Sequence, residues 1–124
     1  MFKRFAILVL FSLAACNTPL RGDPCTQENA IVCESASVAL ICQSGRLFNM
    51  DCRGPGGCRE EGERGTCDMS RAQQGDTCSL QAEGQSQCDV SDVNRSLVCA
   101  SGGVWAAQTC KACTMQDGKA VCQP

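Results

Sequence analysis

The chain has 124 residues, of which thirteen are cysteine, none is histidine and only 4% are aromatic. The lack of histidine excludes Ser-His-Asp and Cys-His catalytic arrangements, and so few aromatic residues argue against a core held by burial alone. Beyond residue 15 the chain keeps nine basic residues, eleven less Lys3 and Arg4, against thirteen acidic ones, a net charge of −4. This balance argues against nucleic acid as a partner.

Residues 1–15 have the pattern of a secretory signal peptide. Lys3 and Arg4 give a positive start, an apolar run follows from Phe5 to Phe11, and Ala14-Ala15 are the small residues expected before a cleavage site. The run is too short to span a bilayer, because a membrane-spanning helix needs about 20 apolar residues. We therefore expect a signal helix that is cleaved.

Cys16 directly follows Leu13-Ala14-Ala15, and this sequence resembles the lipobox of bacterial lipoproteins. The resemblance implies that the Cys16 thiol carries acyl chains such as palmitate and becomes the new N-terminus. Several chains anchor a protein stably, whereas one gives only marginal binding at about 0.8 kcal/mol per buried CH₂. Asn17, rather than Asp, follows Cys16, and in lipoproteins this implies the outer membrane, facing either the periplasm or the cell surface.

The twelve cysteines after Cys16 fall into two groups of six. Such a density is typical of a disulfide scaffold, and an oxidising periplasm or cell surface lets the bonds persist. The offsets between corresponding cysteines lie between 53 and 58 residues, which indicates that one unit has been duplicated. The first group is Cys25, Cys33, Cys42, Cys52, Cys58 and Cys67, and the second is Cys78, Cys88, Cys99, Cys110, Cys113 and Cys122.

We expect a small, disulfide-rich, mostly β protein made of two tandem modules built on hairpins. Each module opens on Gly-Asp-x-Cys, at residues 22–25 and 75–78. The joint between them is too short to separate the modules, so we expect them to touch. The predicted boundaries are a signal peptide at 1–15, a lipidated tether at 16–24, a first repeat at 25–67, a joint at 68–74 and a second repeat at 75–124.

Each repeat contains apolar and β-branched residues on both sides of a Ser-Gly pair, which predicts two strands and a tight turn. If Ser44-Gly45 form the first turn, Ile41 lies opposite Phe48. The equivalent two-residue turn in the second repeat would place Val98 opposite Trp105. The two aromatic residues that follow the signal peptide would then occupy equivalent positions, where an aromatic–aliphatic pair contributes about 0.2–1 kcal/mol.

Phe48 and Trp105 have two possible roles. We expect each to form the small core of its own repeat, because neither repeat has another aromatic side chain to bury. The alternative is that both side chains are exposed and contact a ligand, as a platform on which a sugar ring stacks.

A second hairpin closes each repeat. Cys113 and Cys122 are placed symmetrically about Asp117-Gly118, which is a strong type I′ turn signal. Cys58 and Cys67 flank the corresponding turn of the first repeat in the same way. We therefore predict the bonds Cys58–Cys67 and Cys113–Cys122. The other four cysteines of each repeat stay unassigned, because six cysteines allow fifteen pairings.

Residues 110–113 spell C-x-x-C, the motif of thiol–disulfide exchange. A redox enzyme lowers the pKa of the first thiol at a helix N-terminus or near positive charge, and no βαβ pattern surrounds this motif. In the first repeat the corresponding cysteines, Cys52 and Cys58, are separated by five residues. We therefore interpret the motif as part of the disulfide framework.

The repeats resemble the cysteine-rich modules of Gram-negative surface lipoproteins, most of unknown function. The resemblance rests on Gly-Asp-x-Cys, the Cys-x-Ser-Gly hairpin and Arg-Gly-Pro-Gly-Gly-Cys at 53–58, and it implies no activity. We expect a non-enzymatic binding, adhesion or scaffolding protein, anchored in the membrane, with no cofactor or metal and with a protein or glycan of the envelope as partner. The alternative is a carbohydrate-binding lipoprotein that recognises cell-wall or matrix glycan through Trp105 and Phe48.

Overall fold

The computed structural model describes residues 18–124, so the predicted signal peptide and Cys16 lie outside the described residues. This part of the chain forms ten β-strands and one short 3-10 helix. In each half, a three-stranded antiparallel sheet is followed by a separate two-stranded hairpin. The small, disulfide-rich, mostly β fold is therefore confirmed. Between residues 18 and 124 no helix is both long and apolar enough to cross a bilayer.

The strands follow the same order in both halves. The first half contains β1 (Ile31–Cys33), β2 (Val38–Gln43), β3 (Arg46–Asp51), β4 (Cys58–Glu61) and β5 (Arg64–Cys67). The second contains the 3-10 helix (Leu80–Ala82), β6 (Ser86–Cys88), β7 (Arg95–Cys99), β8 (Trp105–Thr109), β9 (Ala112–Gln116) and β10 (Lys119–Gln123). The larger sheets have the orders β1-β2-β3 and β6-β7-β8.

The Gly-Asp-x-Cys signature attaches the opening segment of each half to its sheet. Gly22 and Gly75 have φ angles of 87° and 90°, a conformation that glycine adopts without steric cost. Their N–H groups donate to carbonyls near the start of the third strand, at 2.8 and 2.9 Å. The carboxylates of Asp23 and Asp76 each accept a backbone N–H from three residues earlier, both at 2.9 Å. The end of the predicted tether is therefore part of the first sheet's hydrogen-bonding pattern.

The six cysteines of each half are bonded in the same pattern: first to third, second to fifth and fourth to sixth. The first bond ties the opening segment to the central strand of the sheet. The other two tie the two strands of the hairpin to the sheet's first strand and to the end of its third. The bonds are Cys25–Cys42, Cys33–Cys58 and Cys52–Cys67 in the first half, and Cys78–Cys99, Cys88–Cys113 and Cys110–Cys122 in the second.

The predicted bonds Cys58–Cys67 and Cys113–Cys122 are therefore wrong, although the predicted strand register is confirmed. Both pairs lie directly opposite each other in their hairpins. Opposite residues project from the same face of a hairpin, and here that face packs against the larger sheet. Each hairpin cysteine meets a cysteine of that sheet and bonds to it, so the disulfides attach the hairpin rather than closing it on itself.

The buried side chains form one cluster in the second half and two in the first, where both faces of β2 are covered. Met69, in the joint, packs against a cluster of each half. Its carbonyl also accepts a hydrogen bond from Gln87 Nε2 at 3.0 Å. The clusters are Ala39, Ile41, Met50 and Cys52; Leu40, Cys42 and Leu47; and Ala72, Cys78, Ala82, Leu97, Cys99 and Trp105.

Polar contacts also join the two halves. Arg53 Nε donates to Asp76 Oδ2 at 2.8 Å, and Asp76 is buried. Gln43, at the end of β2, donates from Nε2 to the carbonyl of Cys78 at 3.2 Å. The expectation that the repeats touch is confirmed.

Candidate functional site

The two aromatic residues do not occupy equivalent positions. Phe48 lies opposite Ile41, as predicted. Trp105, however, lies opposite Cys99 and not opposite Val98. The reason is the second turn, where Ala100 N bonds to the Val104 carbonyl at 3.0 Å and leaves three residues in the loop instead of two.

This one-residue difference places the aromatic side chains on opposite faces of their sheets, because strand side chains alternate between faces. Trp105 is only 3% exposed, whereas Phe48 is 42% exposed. The residue equivalent to Trp105 in the first half is Leu47, which lies opposite Cys42 and is buried. Trp105 thus belongs to the core of its repeat as expected, but Phe48 does not, and the two rings form no common platform.

Phe48 lines a groove between the tips of the two larger hairpins, which we call the hairpin groove. The groove has a volume of about 370 Å³ and also contains Leu80, Val104 and the serine of each turn. Val104 is 41% exposed, so apolar surface from both halves faces the solvent there. The hairpin groove is therefore a candidate contact surface for a partner.

Gly103 permits the close approach of the halves beside this groove. Its φ is 74°, and a Cβ atom there would lie 3.3 Å from the Cys78 carbonyl oxygen, Gln43 Oε1 and Leu80 Cδ2. Such a separation is tighter than an ordinary van der Waals contact. A larger residue would therefore both strain the turn and separate the halves.

Trp105 lies in the wall of a different and larger cavity, of about 640 Å³, which we call the Trp105 cleft. Its other walls are the segment 83–87, which enters β6, Met115, and the turn 117–119 of the closing hairpin. The indole Nε1 of Trp105 is buried and has no hydrogen-bond acceptor among the described residues. A buried donor without a partner is uncommon in proteins and costs about 1–3 kcal/mol.

Asp89 organises the loop between β6 and β7. Its carboxylate accepts hydrogen bonds from Arg95 Nη2 at 2.7 Å and from Ser91 Oγ at 2.6 Å. Burial alone would raise the pKa of Asp89, but the hydrogen bonds from Ser91 and Arg95 outweigh it, so the pKa lies below its usual range. These contacts fix the loop, and Asp89 is thus a structural carboxylate.

Asp68 holds the Gly-Pro-Gly-Gly segment of the first half. Hydrogen bonds from the hydroxyl and N–H of Ser70 and from the Gly56 N–H lower the pKa of Asp68. A Cβ atom on Gly54 would overlap the Asp68 carboxylate, which explains the glycine there. Within residues 18–124, no three histidine, cysteine or acidic residues are grouped as metal ligands.

The cysteines of the C-x-x-C motif bond to different partners. Cys110 is bonded to Cys122, and Cys113 is bonded to Cys88. Both are therefore framework cysteines, as the sequence predicts.

Comparisons of the chain with protein-family models, curated protein sequences and solved structures find no match. The proposed function therefore rests on the sequence and the geometry of this chain.

Proposed function

We propose that the protein is an outer-membrane lipoprotein, anchored through acyl chains on Cys16, whose disulfide-stapled units bind other envelope components in adhesion or scaffolding and catalyse no reaction. The observation that carries the proposal is the pairing of the cysteines. The twelve from Cys25 to Cys122 are all bonded to one another, so none of them is available to Cys16. That cysteine lies in a lipobox-like sequence, in which its thiol would carry an acyl anchor.

The disulfide framework supports a binding role. In each half, three disulfide bonds hold short strands of three to six residues. These bonds limit the movement of the exposed turns. A surface that is rigid before binding loses little conformational entropy on association. The hairpin groove, with Phe48 and Val104 exposed, is the surface that we propose for contact with a protein.

Glycan recognition is the second candidate function. The Trp105 cleft favours it, because its walls are mostly polar and Trp105, which lines it, has an indole N–H with no acceptor among residues 18–124. Trp105 would contribute to binding there, and Phe48 would have to act separately, in the hairpin groove.

The anchor is tested by intact mass spectrometry of protein extracted from membranes, before and after reduction. We expect a chain that begins at Cys16, carries acyl mass on that residue and gains twelve hydrogens on full reduction. Cys16→Ser should abolish the acyl mass and release the protein from the membrane fraction. A wild-type chain that begins elsewhere, or that has free thiols before reduction, would refute the lipoprotein proposal.

The contact surface is tested by placing a photoreactive amino acid at residue 48 in the intact protein in cells. Residue 32 is a matched control, because Val32 is similarly exposed, at 37%, but does not line the hairpin groove. We expect discrete crosslinked protein products from position 48 only. Equal crosslinking from both positions, or none from position 48, would contradict a protein-binding role for the groove.

A further inference from the structure

The two halves carry clefts at equivalent places, which provides an internal comparison. In the first half, the cleft beside the segment 27–31 and the turn residues 63–65 has a volume of about 320 Å³. The corresponding Trp105 cleft is about 640 Å³. The backbone is the same in both, since Asn29 N bonds to the Cys42 carbonyl at 2.7 Å and Gly84 N to the Cys99 carbonyl at 2.9 Å. The second half thus has the same backbone hydrogen bond beside a larger cleft.

The polar groups of the two clefts are used differently. In the first half, the carboxylate of Glu28 accepts hydrogen bonds from the N–H groups of Ser44 and Gly45, at 3.0 and 2.8 Å. The equivalent residue of the second half is Glu83, which is exposed and makes no such contact with the longer turn among the described residues. The Glu28 carboxylate thus stabilises a turn, whereas the Glu83 carboxylate lies in an open cleft.

The indole of Trp105 adds a donor that the first half does not have at this place. Its equivalent, Leu47, is purely apolar, and Trp105 Nε1 is buried with no acceptor among the described residues. Trp105 lines the cleft, so a ligand oxygen that reached its buried Nε1 would provide that acceptor and remove the cost of the unpaired donor.

The charges of the cleft indicate the class of ligand. Glu83 and Asp117 are negative and Lys119 is positive, so the cleft is weakly negative and disfavours phosphates and other anions. Gln85 adds an amide, which both donates and accepts hydrogen bonds. This mixture of donors and acceptors beside an aromatic residue matches the hydroxyl groups of a neutral sugar.

We propose that the Trp105 cleft binds a neutral sugar unit, with the Trp105 indole N–H donating to a sugar oxygen and with Gln85, Glu83 and Lys119 contacting its hydroxyl groups. This inference rests on the second proposed function, glycan recognition, and it assigns that function to the second half alone. The smaller cleft of the first half, which lacks the tryptophan, does not bind.

Trp105 is the only tryptophan of the chain, so it reports directly on its own site. The full mature protein is titrated with millimolar maltotriose, cellotriose and triacetylchitotriose, which are neutral trisaccharides of different linkage and substitution. We expect at least one of them to shift the single indole N–H resonance in ¹⁵N-labelled protein and to change the tryptophan fluorescence, both saturably.

Two exposed residues of the cleft have matched controls elsewhere in the second half. We expect Lys119→Ala and Gln85→Ala each to weaken binding roughly 3- to 10-fold, the cost of one lost hydrogen bond. Lys111→Ala and Gln108→Ala remove the same side chains outside the cleft and should leave the affinity unchanged. Trp105→Phe keeps most of the ring but removes the donor, and calorimetry should show a similar loss.

Three outcomes would overturn the inference. One is that none of the trisaccharides moves the indole resonance. Another is that the control variants weaken binding as much as the cleft variants do. The third is that Phe48→Ala abolishes binding while the cleft variants do not, which would place the sugar in the hairpin groove. The lipoprotein proposal is independent of these results, because acylation of Cys16 is measured by mass.

Discussion

Trp105 and Phe48 show how one residue in a turn decides the role of a side chain. The larger hairpin of the second half has three residues in its loop, and this turns Trp105 towards the core. Phe48 follows a two-residue turn and faces the solvent. The sequence suggests that both aromatics have the same role, because Ser-Gly occurs in both turns. The additional Gly103 is the signal that separates them.

The first prediction compares these two residues. Trp105→Ala removes a buried aromatic ring and should lower the free energy of unfolding by about 3–5 kcal/mol. Phe48→Ala removes a partly exposed ring and should cost less than about 1 kcal/mol. Both values are measured by guanidinium unfolding with the disulfides intact. Equal losses would contradict the observed register of β7 and β8.

The second prediction concerns Asp89 and acid. Its folded-state pKa is depressed, so its contribution to stability is present above the unfolded pKa of about 3.9 and is lost as the pH falls through the folded pKa. The thermal midpoint should therefore drop as the pH falls below about 5. Asp89→Asn should lower the midpoint at neutral pH and make that drop shallower. Asp117→Asn, in an exposed turn, is the control, and an identical acid profile in both variants would refute this role of Asp89.

At the scale of elements, the closing hairpins are attached to their sheets by two disulfides each. The hairpin β4–β5 carries Cys58 and Cys67, which bond to Cys33 and Cys52. Strand pairing gives a two-stranded hairpin little stability of its own. The disulfides and the packing against the sheet therefore hold it in place.

The third prediction is a count of thiols. Cys52→Ala/Cys67→Ala removes both ends of one bond, so the folded variant should contain no free thiol and lose about 3 kcal/mol, the value for a loop of about fifteen residues. Cys58→Ala/Cys67→Ala is the control, because it cuts two bonds and should leave Cys33 and Cys52 free. Thiol labelling under denaturing, non-reducing conditions gives the count. Two thiols in the first variant and none in the second would support Cys58–Cys67 instead.

The sequence predicts the register of each closing hairpin better than it predicts the disulfide bonds between elements. Asp117-Gly118 adopts φ angles of 49° and 74°, as a type I′ turn requires, and the symmetry of Cys113 and Cys122 about that turn gives the correct register. Register determines which residues are opposite within a hairpin. It does not determine which sheet the hairpin packs against, and the disulfide partners lie on that sheet.

At the scale of the whole molecule, the two halves share one architecture. The strand order, the disulfide pattern and the bonding of Gly-Asp-x-Cys all recur. The spacing of the cysteines predicts the two units, and the short joint between them predicts their contact. Neither could predict the Trp105 cleft, because the segments 83–87 and 117–119 are distant in sequence and only the packing of the hairpin against β6 brings them together.

The central claim is that two disulfides in each half attach a hairpin to a sheet, and the most direct test is a tryptic digest of non-reduced protein. Trypsin cleaves between most of the cysteines, because lysine or arginine lies between them. We predict that peptide 47–53 is recovered bonded to 65–71 and that 22–46 is bonded to 54–59. In the second half, 72–95, 96–111, 112–119 and 120–124 should be recovered as one product. Recovery of 54–59 bonded to 65–71, or of 112–119 bonded only to 120–124, would contradict the account.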